Sequence, residues 1–175
     1  DMSTNDTVAV LANGAAGSSV IIGEDSSGYG AFRAALLHVT QDLAKQIAFD
    51  GEGSGKDVTI SITGGKDYEH AREIGRAIAR YNEFRTMLYG QSFNWGRIAA
   101  AMGASLLDVD PTTVTIKLQG ILTWDRGRIA EYDAETGADA LKAGEIQVDV
   151  DLGCGDGEAT VWTCDMTPTY IALNV

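Results

Sequence analysis

The chain has 175 residues, a formal net charge of −12 and 45% hydrophobic residues, which fits one globular domain, with two small lobes as the upper limit, and a sizeable core. That charge excludes a nucleic-acid footprint, because the phosphate backbone is held by basic patches, and no apolar run is long enough to span a bilayer. Glycine is abundant at 21 residues and proline scarce at 2, so tight turns and close packing are expected instead of a Pro-rich linker.

Taken in chain order, Asp1 to Asp6 are polar, so no signal peptide is expected. Thr7 to Ala12 reads as a short apolar strand and Asn13 to Gly28 as a Gly/Ser-rich loop. From Ala31 to Phe49, apolar residues fall at Phe32, Leu36, Val39, Leu43 and Ile47. This is helical spacing, with Gly51 placed just past the end. Val58, Ile60 and Ile62 alternate with Thr59, Ser61 and Thr63, the pattern of a half-buried strand. Asp67 can cap a second helix with Ala71, Ile74, Gly75 and Ile78 on its inner face and Arg72, Glu73, Arg76 and Arg80 on its wet face. Phe84 to Tyr89 reads as a strand and Trp95 to Met102 as a short, closely packed helix. Val114, Ile116 and Leu118 alternate, and Asp125-Arg126-Gly127 is a hairpin turn back to Ile129. Asp133 to Ala143 is a weak helix. Ile146, Val148, Val150 and Leu152 form another alternating strand, Gly153 to Gly157 a hairpin turn, Ala159 to Cys164 a strand and Tyr170 to Leu173 a last one. Strands outnumber helices in mixed order, which points to an α+β layered architecture. Cys154 and Cys164 are not expected to pair, and a reducing, intracellular compartment follows.

The most informative stretch is Asp50-Gly51-Glu52-Gly53-Ser54-Gly55-Lys56, a carboxylate flanked by glycines between a helix and a strand. Glycines permit close approach and unusual backbone angles, so the loop has the make-up of a site wall. On its own an acidic loop residue is a solvated one, and Gly51 is a helix stop. The loop is not a phosphate-binding loop: that motif needs glycine where Asp50 stands, Ser or Thr where Asp57 stands, and a strand leading into a helix. Val150 to Gly157 has the glycine spacing of an S-adenosylmethionine site, but the β-branched and aromatic segment after it is strand-like and too little chain follows for the remaining elements. His38 and His70 lie on helices, and no His/Cys/Asp spacing resembles a metal site. Asn94-Trp95-Gly96-Arg97 reads as a cap, an aromatic anchor and a close-packing glycine, with a substrate clamp as the alternative.

Five segments occur in the order and approximate spacing of one family: Ser3-Thr4-Asn5-Asp6-Thr7 with Leu11-Ala12-Asn13-Gly14; Asp50-Gly51-Glu52-Gly53; Asn94-Trp95-Gly96-Arg97; Cys164-Asp165-Met166-Thr167; and Tyr170 with Asn174. On these the chain resembles the β chain of the bifunctional ornithine acetyltransferase/N-acetylglutamate synthase (ArgJ) family, over essentially its whole length. The resemblance implies an α+β fold, a layered α/β/β/α core (DmpA/ArgJ-like) with a smaller mixed α/β C-terminal lobe. Residues 1–56 would belong to the core completed by an α chain, and residues 57–175 to the lobe, whose last strand and tail return to the site. It implies acetyl transfer from N-acetylornithine to glutamate through an acetyl-threonine intermediate in arginine biosynthesis. Its nucleophile is the new N-terminal threonine made when a precursor cuts itself into α and β chains, expected upstream of Asp1, so no catalytic residue is assigned to the residues given. The threonine's own amine serves as base, and an oxyanion hole on the α chain stabilises the tetrahedral intermediate.

By the same resemblance Glu52 and Asn174 contact substrate, and the tail continues past Val175 to a substrate-contacting threonine. Neither a cofactor nor a metal is implied, with acetyl-coenzyme A open as a further substrate. The implied partners are the α chain and a second αβ unit, giving an α2β2 heterotetramer in the cytoplasm, with no nucleic acid and no membrane. The chain departs from the family pattern at Ser54-Gly55-Lys56-Asp57 and Gln91-Ser92-Phe93, which leaves room for altered substrate choice. The alternatives are a self-processing aminopeptidase-like hydrolase, which would pass the acyl group to water, and a non-catalytic interaction domain of the same fold.

Overall fold

The computed structural model describes residues 4–17 and 23–175. Residues 18–22 of the expected Asn13–Gly28 loop, and Asp1 to Ser3, lie outside the described residues. The core is one six-stranded mixed sheet in the order β4-β3-β2-β5-β1-β6. Its strands are β1 (Asp57–Gly65), β2 (Thr115–Leu118), β3 (Ile121–Asp125), β4 (Arg128–Ile129), β5 (Glu145–Asp151) and β6 (Gly157–Cys164). β1 runs parallel to β5 and antiparallel to β6, and the remaining neighbours are antiparallel.

The alternation read from the sequence sets the faces. Val58, Ile60 and Ile62 of β1, Ile146, Val148 and Val150 of β5, and Ile116 and Leu118 of β2 are all buried. They meet three helices on one side: α2 (Tyr68–Arg80), α3 (Asn82–Tyr89) and α4 (Gly96–Ala104). The Asp67 carboxylate caps α2 by accepting from His70 N at 2.8 Å, and Ala71, Ile74, Gly75 and Ile78 are buried as expected. At Gly75 an added Cβ would come within 2.8 Å of Val161, so α2 sits directly on β6.

The long helix α1 (Tyr29–Phe49) lies on the opposite face, where Lys45 Nζ stands 5.2 Å above the Trp162 ring of β6. Most of its expected apolar stripe is left uncovered by the described residues. Phe32, Leu36, Val39 and Leu43, with Leu37, are exposed, and only Ala48 of the helix is buried. The short α5 (Ala134–Ala140) is capped by the Asp133 carboxylate, which accepts from Thr136 N.

Four expectations are corrected. Thr7 to Ala12 has no regular structure, because a strand needs a ladder partner and the described residues offer it none. Phe84 to Tyr89 belongs to α3, not to a strand: Phe84, Met87 and Leu88 recur at the three- and four-residue spacing of a helix face and are buried together. Tyr170 to Leu173 is helical, within α6 (Pro168–Leu173), which Thr167 caps and Pro168 starts. Gly153 to Gly157 is not a hairpin turn, because β5 and β6 flank β1 instead of pairing. The segment crosses the end of β1, with Leu152 N donating to Thr63 O and Cys154 N to Gly64 O. A Cβ at Gly155 or Gly157 would overlap the backbone of the β1–α2 turn, so only glycine lets the crossing run so close.

Candidate functional site

The end of α1 and the start of β1 are joined by the glycine loop, and the end of β6 leads into α6. These two junctions meet. Ser54 N donates to Gly51 O at 2.9 Å, closing a turn that presents Glu52 at its tip. An added Cβ at Gly51 would overlap the Cys164 sulfur, and one at Gly53, whose φ is +68°, would stand 2.6 Å from Thr169 Cγ2. Both glycines are therefore required by contact with residues 164–169, and the space they free is filled by the protein itself. Glu52 is left as the exposed side chain of the turn.

The partner junction is rigid. The buried Arg85 donates from Nε to Cys164 O at 2.8 Å, and its terminal nitrogen lies 3.2 Å from the Cys164 sulfur. Arg85 O in turn accepts from Met166 N. The buried Asp165 carboxylate accepts from Gly55 N at 2.8 Å and from Lys56 N at 3.2 Å. The Thr167 hydroxyl donates to Gly53 O at 2.8 Å and accepts from Tyr170 N at the start of α6. At the far end of α6, Asn174 Nδ2 donates to Glu52 Oε2 at 2.7 Å and to Tyr170 O at 2.8 Å.

Glu52 and Asn174, singled out 122 residues apart in sequence, are thus hydrogen-bonded. A carboxylate and a carboxamide at one exposed tip offer a substrate an anion for an ammonium group and an amide for a polar group. Lys56, read as part of the same loop, points elsewhere. It is buried, and its Nζ donates to Leu141 O at 2.7 Å and Ala143 O at 2.9 Å, where it closes the C-terminal end of α5. Asp57, which follows it, has its carboxyl pushed above the usual range by burial, then by Glu145 and Asp165 nearby.

In the segment Asn94 to Arg97 the expected cap is absent, since no side chain caps α4, but the aromatic anchor is present. Trp95 Nε1 donates to the Tyr132 hydroxyl at 3.0 Å, and its ring stands 5.7 Å from that of Trp124. Trp95 and Gly96 line an apolar cavity of about 370 Å³ against Trp124, Met102 and Val114. Arg97 donates to Glu83 O and to the Thr86 hydroxyl. The glycine run before β6 leads into a strand and so presents no helix N-terminus to a cofactor. Among the described residues no group of three or more His, Cys, Asp or Glu is arranged to hold a metal, and Cys154 and Cys164 are free thiols. The residues missed as functional candidates are Asp165 and Thr167. Both stood in the Cys164–Thr167 segment of the resemblance, and Thr167-Pro168 was a legible helix start.

The ArgJ family model matches residues 1–175. The chain is 40% identical to the glutamate N-acetyltransferase of Methanopyrus kandleri, over 99% of this chain and 45% of that protein. It is 41% identical to the arginine biosynthesis bifunctional protein ArgJ of Geobacter sulfurreducens, over 99% of this chain and 44% of that one. The crystal structure of the ArgJ protein of Bacillus halodurans superposes with a TM-score of 0.90 at 34% identity, covering 99% of this chain and 82% of that one. The chain therefore spans less than half the length of the curated relatives it matches here.

Proposed function

The chain belongs to the ArgJ family, and from that membership we propose that it is the β-chain portion of a glutamate N-acetyltransferase that moves acetyl from N-acetylornithine to glutamate in arginine biosynthesis. One observation carries the reading beyond kinship. Glu52 and Asn174, the two residues that the family resemblance assigns to substrate, lie 2.7 Å apart at one exposed tip held by a buried framework. Relatives that match nearly the whole chain at about this level bear the matching names.

In this reading the nucleophile is the β chain's own N-terminal threonine, upstream of Asp1, and the oxyanion hole comes from the α chain. The hydroxyl oxygen of that threonine attacks the acetyl carbonyl carbon, with the threonine's own amine taking the proton. The amide C–N bond breaks, the leaving ornithine amine is protonated, and an acetyl ester remains on the threonine. The glutamate amine then attacks that ester and restores the hydroxyl. Glu52 holds a substrate ammonium group and Asn174 orients the Glu52 carboxylate, so binding energy at this tip positions the acyl carbon against the threonine. No cofactor is required by this sequence of steps, and acetyl-coenzyme A would enter as an alternative donor.

The exposed apolar side of α1 supports a covering α chain: Phe32, Leu36, Leu37, Val39 and Leu43 form a face that association would bury. An α2β2 heterotetramer follows by pairing of two such units. The two free thiols agree with a reducing, cytoplasmic setting, and no helix among the described residues is long and apolar enough to cross a membrane. In the whole protein, Glu52→Ala is expected to lower acetyl transfer at least tenfold, about 1.4 kcal/mol of transition-state binding. Wild-type kinetics in that variant would remove Glu52 from the site.

A further inference from the structure

Two separate elements carry the substrate-facing pair, and one short segment ties them together. Glu52 sits on the turn between α1 and β1; Asn174 sits at the end of α6. The single Thr167 hydroxyl is bonded to both elements, donating to Gly53 O beside Glu52 and accepting from Tyr170 N in the first turn of α6. Asp165, two residues earlier, holds the other limb of the turn through Gly55 N and Lys56 N. Both side chains are buried, so neither can touch substrate directly. Their own position is fixed from below by Arg85, which binds the carbonyls of Cys164 and Asp165.

We propose that Thr167 and Asp165 are positioning residues for substrate binding: they clamp the glycine turn to α6 and so set the Glu52–Asn174 geometry. The proposal rests on the reading of Glu52 and Asn174 as substrate contacts. The physical reason is that the Glu52–Asn174 bond is exposed, and an exposed polar contact is too weak to order two chain segments by itself. The order must come from the buried hydrogen bonds beneath it, where loss of a partner is costly. Thr167 is the more discriminating member, because valine preserves its shape and removes both of its hydrogen bonds, whereas serine keeps the hydroxyl.

The test uses the whole protein with Thr167→Val, Thr167→Ser and Glu52→Gln, alone and with Thr167→Val and Glu52→Gln combined. With N-acetylornithine as donor, Thr167→Val is expected to raise KM about fivefold or more with kcat within about twofold. Thr167→Ser is expected to restore the wild-type KM. In the Glu52→Gln background, Thr167→Val is expected to add little, because the group it positions is already altered. Full additivity, a fall in kcat at constant KM, or failure of serine to rescue would overturn the clamp. A second readout needs no substrate. Amide hydrogen exchange in Thr167→Val should quicken in the peptides spanning residues 50–56 and 168–175 together, and should match wild type in Thr167→Ser. Exchange unchanged in residues 50–56 would overturn the clamp. Wild-type protein that transfers no acetyl group would overturn the proposed reaction alone, and the exchange result would still decide the clamp.

Discussion

Lys56 and Asp57 show how closely placed residues take opposite roles. Lys56 lies four positions after Glu52, and from sequence it belongs to the same loop; in the fold its ammonium is buried against the Leu141 and Ala143 carbonyls. Lys56→Met is expected to destabilise the protein by about 2 kcal/mol, since hydrogen bonds from a charged donor contribute about 1.5–3 kcal/mol and two carbonyls lose their partner. Chemical denaturation measures this, and an unchanged midpoint would contradict it. At Asp57 burial comes first, then the neighbouring carboxylates Glu145 and Asp165, and all raise the pKa above the unfolded value. The charged form therefore costs stability at neutral pH, and the cost shrinks once pH falls below the raised native pKa and is gone below the unfolded value. Asp57→Asn is expected to raise the melting temperature at neutral pH, with the advantage shrinking under mild acid. A variant less stable than wild type at neutral pH would show that the carboxylate is needed for a contact.

At the level of elements, local chemistry was legible where it was self-contained. Asp67 and the buried positions Ala71, Ile74, Gly75 and Ile78 define α2 from sequence and in the fold alike. So do the alternating runs of β1 and β5, and the turn at Arg126-Gly127, where both residues have positive φ. Two short helices were misread as strands, because each is under nine residues and rich in aromatic or β-branched types. The Glu52–Asn174 pair was legible only as two separate motifs. Its hydrogen bond depends on β6 returning beside β1, a long-range pairing that no local pattern reports.

The β5–β6 crossover was hidden for the same reason. Its glycines looked like a hairpin turn, yet they are needed for passage over the end of β1. Gly157→Ala would drive a methyl group into the Asp67 backbone and is expected to cost about 3 kcal/mol or more. Gly144→Ala, which meets nothing within 4 Å, is expected to be nearly neutral. Equal stability of the two variants would refute the close crossing.

For the whole molecule, the decisive feature is the bare side of α1. Helical periodicity identified the apolar stripe correctly, but periodicity cannot say which chain supplies the cover. Each large side chain on that face would contribute about 1.5–3 kcal/mol if fully buried, so a covering chain gains much from binding here. If the proposed α chain covers this face, Leu36→Glu with Leu43→Glu is expected to abolish that assembly while leaving the six-stranded core folded, as read by light scattering and circular dichroism. Undisturbed assembly would show that the α chain docks elsewhere. The central claim, acyl transfer between two amines through an enzyme-bound acetyl group, is tested most directly by tracing isotope. The whole protein is given N-acetylornithine labelled in the acetyl carbonyl, with and without glutamate. The expected result is label in N-acetylglutamate when glutamate is present, and a stoichiometric labelled acetyl-protein when it is absent. Label released as acetate at a rate indifferent to glutamate would contradict the account and identify a hydrolase instead.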